Sequence, residues 1–320
     1  MTWLGWRLQR TETLAAGALL AALALFLVPQ GLDMASSFAA GHLSACAFNH
    51  TRACGFAVRT YLGRFDFARS VLGWLRLVPG VIGVLLAAPL VLELENGSYR
   101  LAWTQSVTRS QLLRAKLAVS IGTALAAAGA FALLATWCRG PLDDLTGRMD
   151  SSVFDIEWIV PLGCALFALG VAFAIGVASR RTGVSVVVAF AAYVAARIVV
   201  DAKIRPHYVT PVTASSPIGS ARPGGASLDG ALVLSQHLVD RAGRPFSVTP
   251  KIVAECSRFA GPGPHDVGAC LARHGAAALH SVYQPASRFW LFQTIETALF
   301  AGIGLALIAL AAWWLQRRAV

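Results

Sequence analysis

Residues 158–178 read WIVPLGCALFALGVAFAIGVA, and Ser179-Arg180-Arg181 follow. The stretch carries no charged side chain and is long enough to cross hydrocarbon as helix, which takes about 20 residues. Blocks of the same kind recur outward from it in both directions, at 14–30, 72–92, 112–137, 183–200 and 289–315. The expected fold is an all-α polytopic membrane protein: six transmembrane helices with a long extracytoplasmic loop between spans five and six. The whole chain, 1–320, reads as one transmembrane domain, with 201–288 as that loop. Composition agrees. Apolar residues make up 56% of 320 positions and charged residues 13%, against about 25% charged in a soluble protein. No water-soluble fold of this length could hide that much apolar side chain.

The first block follows Arg7 and Arg10, so it also fits the charged and apolar parts of a secretory signal. Five further apolar blocks make an uncleaved first span the simpler reading, closed by Pro29-Gln30-Gly31. Pro79 and Pro89 do not exclude the second span, because neighbouring helices re-satisfy the backbone groups that a proline frees.

One orientation suits the short connections. With the N-terminus inside, the cytoplasmic pieces are 1–12, 93–116, 179–182 and 316–320. They hold Arg7, Arg10, Arg100, Arg109, Arg114, Lys116, Arg180, Arg181, Arg317 and Arg318. The outer pieces are longer and hold most of the acids, including Asp143, Asp144, Asp150, Asp155 and Glu157. Positive charge inside is the rule that sets direction. The reading is a plasma-membrane, multi-pass chain with both termini cytoplasmic and the lipid bilayer as its solvent. The net charge of +11 is thus a topology signal. Nucleic acid is not an expected partner, since no basic patch sits on a recognisable binding module.

The outer segments have their own patterns. Arg52, Arg59, Arg64, Arg69 and Arg76 alternate with Phe56, Tyr61, Phe65, Phe67, Leu72 and Leu75. That fits an amphipathic helix on the outer interface, or else a charged lip at the exit of a path. The 201–288 loop is rich in Pro, Gly, Ser and His and is expected to hold a short helix near 227–241, capped by Ser227. Cys46 and Cys54 lie in the first outer loop, Cys256 and Cys270 in the last. Each pair is close in sequence on a face that permits oxidation, making Cys46–Cys54 and Cys256–Cys270 candidate disulfides; spacing alone does not fix connectivity.

Little points to catalysis. Neither His265 with Cys256 and Cys270, nor His274 with His280, has the compact zinc spacing, so no metal is expected. There is no His-Glu-x-x-His, no Gly-x-Ser-x-Gly, and no phosphate-cradling Gly-Lys loop. The chain reads as a non-enzyme that binds no cofactor and hydrolyses no ATP by itself.

Two ionisable residues fall within spans: Arg197 near the outer end of the fifth, and Glu296 two turns into the sixth. A charge at mid-span costs about 2.5–3.5 kcal/mol on insertion scales and is normally paired or facing water. An Arg197–Glu296 pair is geometrically open, with Asp201, one turn beyond Arg197, as the competing partner. Such a pair reads either as a helix–helix clamp or as part of a substrate path.

Between spans two and three runs ELENGSYRLAWTQSVTRSQLLRAK, residues 93–116. Asn96-Gly97-Ser98 is a turn signal, Trp103 suits headgroup level, and Thr108 with Gln111 reads as a capping box opening the third helix. This stretch resembles the actinobacterial branch of type-2 ABC exporter permeases. The resemblance rests on Glu93-Leu94-Glu95, Gly97-Ser98, the run from Arg100 through Leu101-Ala102-Trp103-Thr104-Gln105-Ser106-Val107-Thr108 to Arg109, and Lys116. Upstream, Ala87-Ala88-Pro89-Leu90-Val91 is similar to that family's second-span ending. Close likeness covers roughly 80–120; beyond it only the six-span layout agrees.

The resemblance implies a permease subunit of an exporter. ATP and Mg would sit on a separate cytoplasmic ABC ATPase, and a second permease copy or homologue would complete a dimer around the path. The ATPase-coupling element would lie among Glu93, Glu95, Gly97, Arg100, Trp103, Thr104, Gln105 and Arg109. Gly122, Gly129, Gly170, Gly176, Gly302 and Gly304 would allow close helix packing, or are ordinary membrane glycines. An ion-coupled secondary transporter would need acids near mid-membrane. A membrane-anchored sensor using 201–288 would need a cytoplasmic output domain.

Overall fold

The structure is a computed structural model that describes residues 2–47, 51–96, 109–218, 228–257 and 264–318. Six helical segments are long and apolar enough to cross a membrane: Thr13–Ala40, Asp66–Glu95, Gln111–Thr146, Val160–Ser179, Thr182–His207 and Ala286–Arg317. Each overlaps a block read from the sequence, and the first, second, third and fifth run on past it. Pro29 does not close the first span, because the helix from Thr2 continues to Ala40. A proline removes one backbone donor, whereas ending the helix near hydrocarbon would strip several groups of their partners. Pro79 stands in the first turn of the helix Val78–Glu95, where its missing N–H would have no intrahelical partner anyway.

Alternating spans place the described chain ends, Glu95, Arg109 and Arg180-Arg181 on one face, here the termini face. The connections after spans one, three and five share the opposite face. The fourth span is the buried axis of the bundle, while the first, fifth and sixth expose most of their length. Backbones meet directly along that axis. A Cβ added to Gly170 would lie 2.3 Å from Gly304 O, and one on Gly83 would lie 2.3 Å from Ala165 O. Small residues at such crossings let helices approach closely enough for backbone contact. Gly122, Gly129 and Gly302 face open space, so the packing role falls to Gly83, Gly170 and Gly304, and to Gly176, which packs on Val91. Gln293 ties the sixth span to the start of the fourth. Its Oε1 accepts from Val160 N at 3.2 Å and its Nε2 donates to Phe154 O at 3.0 Å, satisfying one orphan N–H of a helix start.

The arginine-and-aromatic segment forms two helices, Arg52–Arg64 and Asp66–Trp74, that meet at Phe65. Tyr61, Phe65, Ala68 and Leu72 point into the protein, and Tyr61 donates to Met34 O at 3.1 Å. Phe56, Phe67 and Trp74 point away from it.

The chain is not all-α. Residues 201–288 contain a three-stranded antiparallel sheet, order β1-β3-β2, built from β1 (Val212–Pro217), β2 (Leu232–Val239) and β3 (Ala278–Gln284). The helix expected near 227–241 is strand β2 instead. Its Leu232 and Leu234 also satisfy a period of two, and pairing with β3 decides in favour of strand: Leu238 faces Leu279 and Val239 faces Ala278. No local signal carries a partner about 40 residues away. Gly147 and Gly230 dock the sheet's approach onto the bundle. Both have positive φ, and a Cβ on Gly147 would meet Gly230 Cα at 2.1 Å.

Candidate functional site

The bundle end beneath the sheet holds a buried cluster of charge. The fifth span passes from α-helix (Thr182–Val199) through one π turn (Val200–Ile204) to a 3₁₀ turn (Arg205–His207). In an unbroken α-helix, residues eight apart sit about 80° from each other around the axis; one inserted residue removes about 100°. The π turn therefore brings Arg205 back onto the side of Arg197, and both guanidiniums meet the same acids.

Arg197 Nη1 lies 2.5 Å from Glu296 Oε1, and Arg205 bonds the same carboxylate through Nε at 2.9 Å and Nη2 at 2.8 Å. Both guanidiniums also pair with Asp155, from the linker between spans three and four. Asp201 bonds Arg205 Nη1 at 2.7 Å. The competitor named for Arg197 thus serves Arg205. Tyr208 donates to Glu296 Oε2 at 3.2 Å. Phe154 lies 4.5 Å beneath the Arg205 guanidinium and Phe300 5.1 Å beneath that of Arg197, so ring faces cover charge where oxygen does not. Arg205, Asp155 and Glu296 are at most 3% exposed.

Depth follows from the tryptophans of the sixth span. Trp290 and Trp313 are both half exposed near its two ends. The helix between them rises about 35 Å, close to a hydrocarbon core of about 30 Å flanked by aromatic belts. Glu296 lies about 9 Å along that helix from Trp290. Glu296 therefore lies within the apolar length of the span, and protein packing shields Asp155, Arg197, Arg205 and Glu296 from water.

A second cluster sits beside it. Arg139 Nε donates to Asp143 Oδ1 and to Glu157 Oε1, both at 3.1 Å, and all three side chains are buried. Arg148 reaches Asp143 at 3.7 Å from a half-exposed position. One carboxylate oxygen of each acid, Asp143 Oδ2 and Glu157 Oε2, is buried with no hydrogen-bond partner among the described residues. Burial, then the neighbouring Asp143 charge, pushes the Glu157 carboxyl up to about 8. Asp155, two residues earlier, goes the other way. Burial raises it, but the Arg197 and Arg205 charges outweigh that and hold it below the ordinary carboxylate value. Tyr208 is raised by burial and by the Glu296 charge.

On the termini face, Lys116 Nζ lies 2.6 Å from Glu93 Oε1, joining the ends of the second and third spans. Glu95 Oε2 accepts from Thr182 N at 2.8 Å, which caps the fifth span and ties it to the second. Gly97, Arg100, Trp103, Thr104 and Gln105 lie outside the described residues, and Arg109 opens the helix Arg109–Thr146. Cysteines join as Cys46–Cys54 and Cys256–Cys270, with Cα separations of 5.1 and 5.6 Å. Cys138 and Cys164 are free and buried.

Sequence reasoning named Arg197 and Glu296 but missed Arg205, and it counted Asp143, Asp155 and Glu157 only as outer-loop acids. One signal was available. Arg197, Asp201 and Arg205 are spaced by four, and Arg139 and Asp143 likewise, so successive members of each set lie one helical turn apart.

Two arginines and two acids fasten the fifth and sixth spans to the linker that leads into the fourth. Among known proteins, the sequence signature described as "ABC-2 membrane transporter related" matches residues 17–205. That range runs from within the first span to near the end of the fifth and includes Arg139, Asp155, Arg197 and Arg205, but not Glu296. No curated protein and no solved structure matches the chain. With more than half its length under that signature and six membrane-spanning helices in place, this multi-pass membrane protein belongs to the ABC-2 membrane transporter related family, the permease components of ABC transporters.

Proposed function

We propose that the chain is the membrane-spanning permease subunit of an ABC-type exporter in the plasma membrane, with both termini and the 93–116 turn in the cytoplasm. A separate ABC ATPase, which binds ATP and Mg, docks on that turn. A second permease copy or homologue completes the path. The observation that carries this reading is the family signature over 17–205, together with the Glu93–Arg109 run it contains.

The described ends of the turn suit a lever. Glu93 and Lys116 pair across its base, and Glu95 holds the start of the fifth span. A push on the turn would move the second and third spans together and reach the fifth through Glu95. On the opposite face the buried ion cluster fixes the fifth span to the sixth, so both would follow. Exposed apolar flanks of the first, fifth and sixth spans are available to lipid and to the second copy.

Co-purification tests the reading. The detergent-extracted chain, co-expressed with an ABC ATPase encoded beside it, should retain that ATPase. Replacing Trp103, Thr104, Gln105 and Arg109 together by alanine should release it, while the permease keeps its melting temperature. Retention by the altered chain, or no retention by the natural one, rejects the docking.

A further inference from the structure

The helices Pro250–Ser257 and Pro264–Arg273 carry the Cys256–Cys270 pair, and their residues beside it do more than pack. His274 follows Cys270 by four positions, and its N–H still bonds Cys270 O at 3.3 Å, so the helical turn persists and both side chains share a side. Donor atoms of Cys256, Cys270 and His274 all lie within 4.8 Å of one another. Tetrahedral zinc, with bonds of about 2.3 Å to sulfur and about 2.0 Å to nitrogen, needs donors about 3.5–3.8 Å apart. As a disulfide the two sulfurs stand closer than this, so opening the bond lets them part toward that spacing, with His274 already beside them. Both sulfurs are buried, whereas His274 is a third exposed, which leaves one open side for an ion to enter. Glu255 Oε2 sits 3.1 Å from His274 Nε2. A carboxylate on a ligating imidazole orients the ring and raises its basicity.

We infer that opening the Cys256–Cys270 disulfide creates a site for a thiophilic divalent ion of the zinc type, held by Cys256, Cys270 and His274 with Glu255 behind the imidazole. The pair therefore has two closed states, one covalent and one metallated. A dithiol reductant supplies two electrons and two protons to the S–S bond, ends as its own disulfide and leaves two cysteine thiols. The ion then displaces both thiol protons to solvent, and two S–metal bonds and one N–metal bond form. Negative charge on the two thiolates, buried in apolar surroundings, is neutralised by the ion. Cys46 and Cys54 have no such third donor among the described residues.

The test uses the full chain in detergent with Cys46→Ser and Cys54→Ser, so that one reducible pair remains. After phosphine reduction and anaerobic desalting, the protein is titrated with Co(II), followed by Zn(II). One Co(II) per chain should bind, with the thiolate charge-transfer and visible bands of a tetrahedral site, and Zn(II) should bleach them. Unreduced protein should show none. His274→Gln leaves the disulfide intact, so its fold is checked in the oxidised state; once reduced, it should lose the visible bands. Glu255→Gln should weaken binding about 10–100-fold. Absence of bands in reduced protein, or identical bands and stoichiometry with His274→Gln, overturns the site.

Discussion

Asp155 and Glu157 stand two residues apart in one linker, are both buried, and are driven in opposite directions. Asp155 faces two guanidiniums, Arg197 and Arg205, and stays charged. Glu157 shares one buried guanidinium, Arg139, with Asp143, and is pushed up to about 8. The difference is one of counting. Two arginines against Asp155 and Glu296 balance, with Asp201 at the edge; one buried arginine against two acids does not. Burial raises both carboxyls; what differs is the charge around them, two buried guanidiniums at Asp155 against a like charge and one buried guanidinium at Glu157. The balanced cluster is a clamp that stays ionised, and the unbalanced one holds a proton in the neutral range.

The largest expected effect comes from unbalancing the clamp. Arg205→Met leaves Asp155 and Glu296 with one partner between them, and breaking a buried ion network in this way costs about 3–5 kcal/mol. Unfolding in detergent should show a loss of that size. Adding Glu296→Gln to Arg205→Met restores charge balance and should recover most of the loss. If the single variant melts like the natural chain, the cluster does not hold the spans.

Glu157→Gln should act differently. Folded Glu157 titrates near 8 against an ordinary 4.5, so the folded chain holds a proton that the unfolded chain lacks between those values. Its contribution to stability is complete below about 4.5 and fades as pH rises through about 8. Glutamine imitates the protonated acid, so the cost near pH 6 should be under about 1 kcal/mol. The pH slope of stability between 5 and 8 should flatten. Asp155 has the opposite sign: its contribution is present above the ordinary 3.8 and is lost as pH falls further.

The smallest effect is the sharpest on mechanism. Asp143→Asn removes the like charge beside Glu157 and leaves one arginine for one acid. The midpoint of the pH-dependent step should then fall below 8 with little change in stability at pH 6. An unmoved midpoint would mean that burial alone raises Glu157.

Much of this architecture was legible in the sequence, and the boundary of legibility is physical. Transfer of apolar blocks into lipid is a local sum, so the six spans could be read window by window. Arg197 and Glu296 stood out because each is charged inside such a block. Arg205 and Asp155 did not, because they lie just beyond block ends, and their pairing joins positions 50 apart in the chain. Glu296 is 91 positions from Arg205. The π turn that aligns the two arginines has no signature in residue type. The sheet was hidden for the same reason: β2 has a leucine pattern open to helix or strand, and only β3 decides. The 93–116 turn was read from its residues and resemblance, and its middle lies outside the described residues.

The proposal as a whole depends on which side of the membrane that turn occupies. A single reporter cysteine at Ser98, compared with one at Ser235 in β2, can be labelled with a membrane-impermeant maleimide in intact cells. The account predicts that Ser235→Cys is labelled in intact cells and Ser98→Cys only after permeabilisation. Labelling of Ser98→Cys from outside intact cells would contradict it, since no cytoplasmic ATPase could then reach the turn.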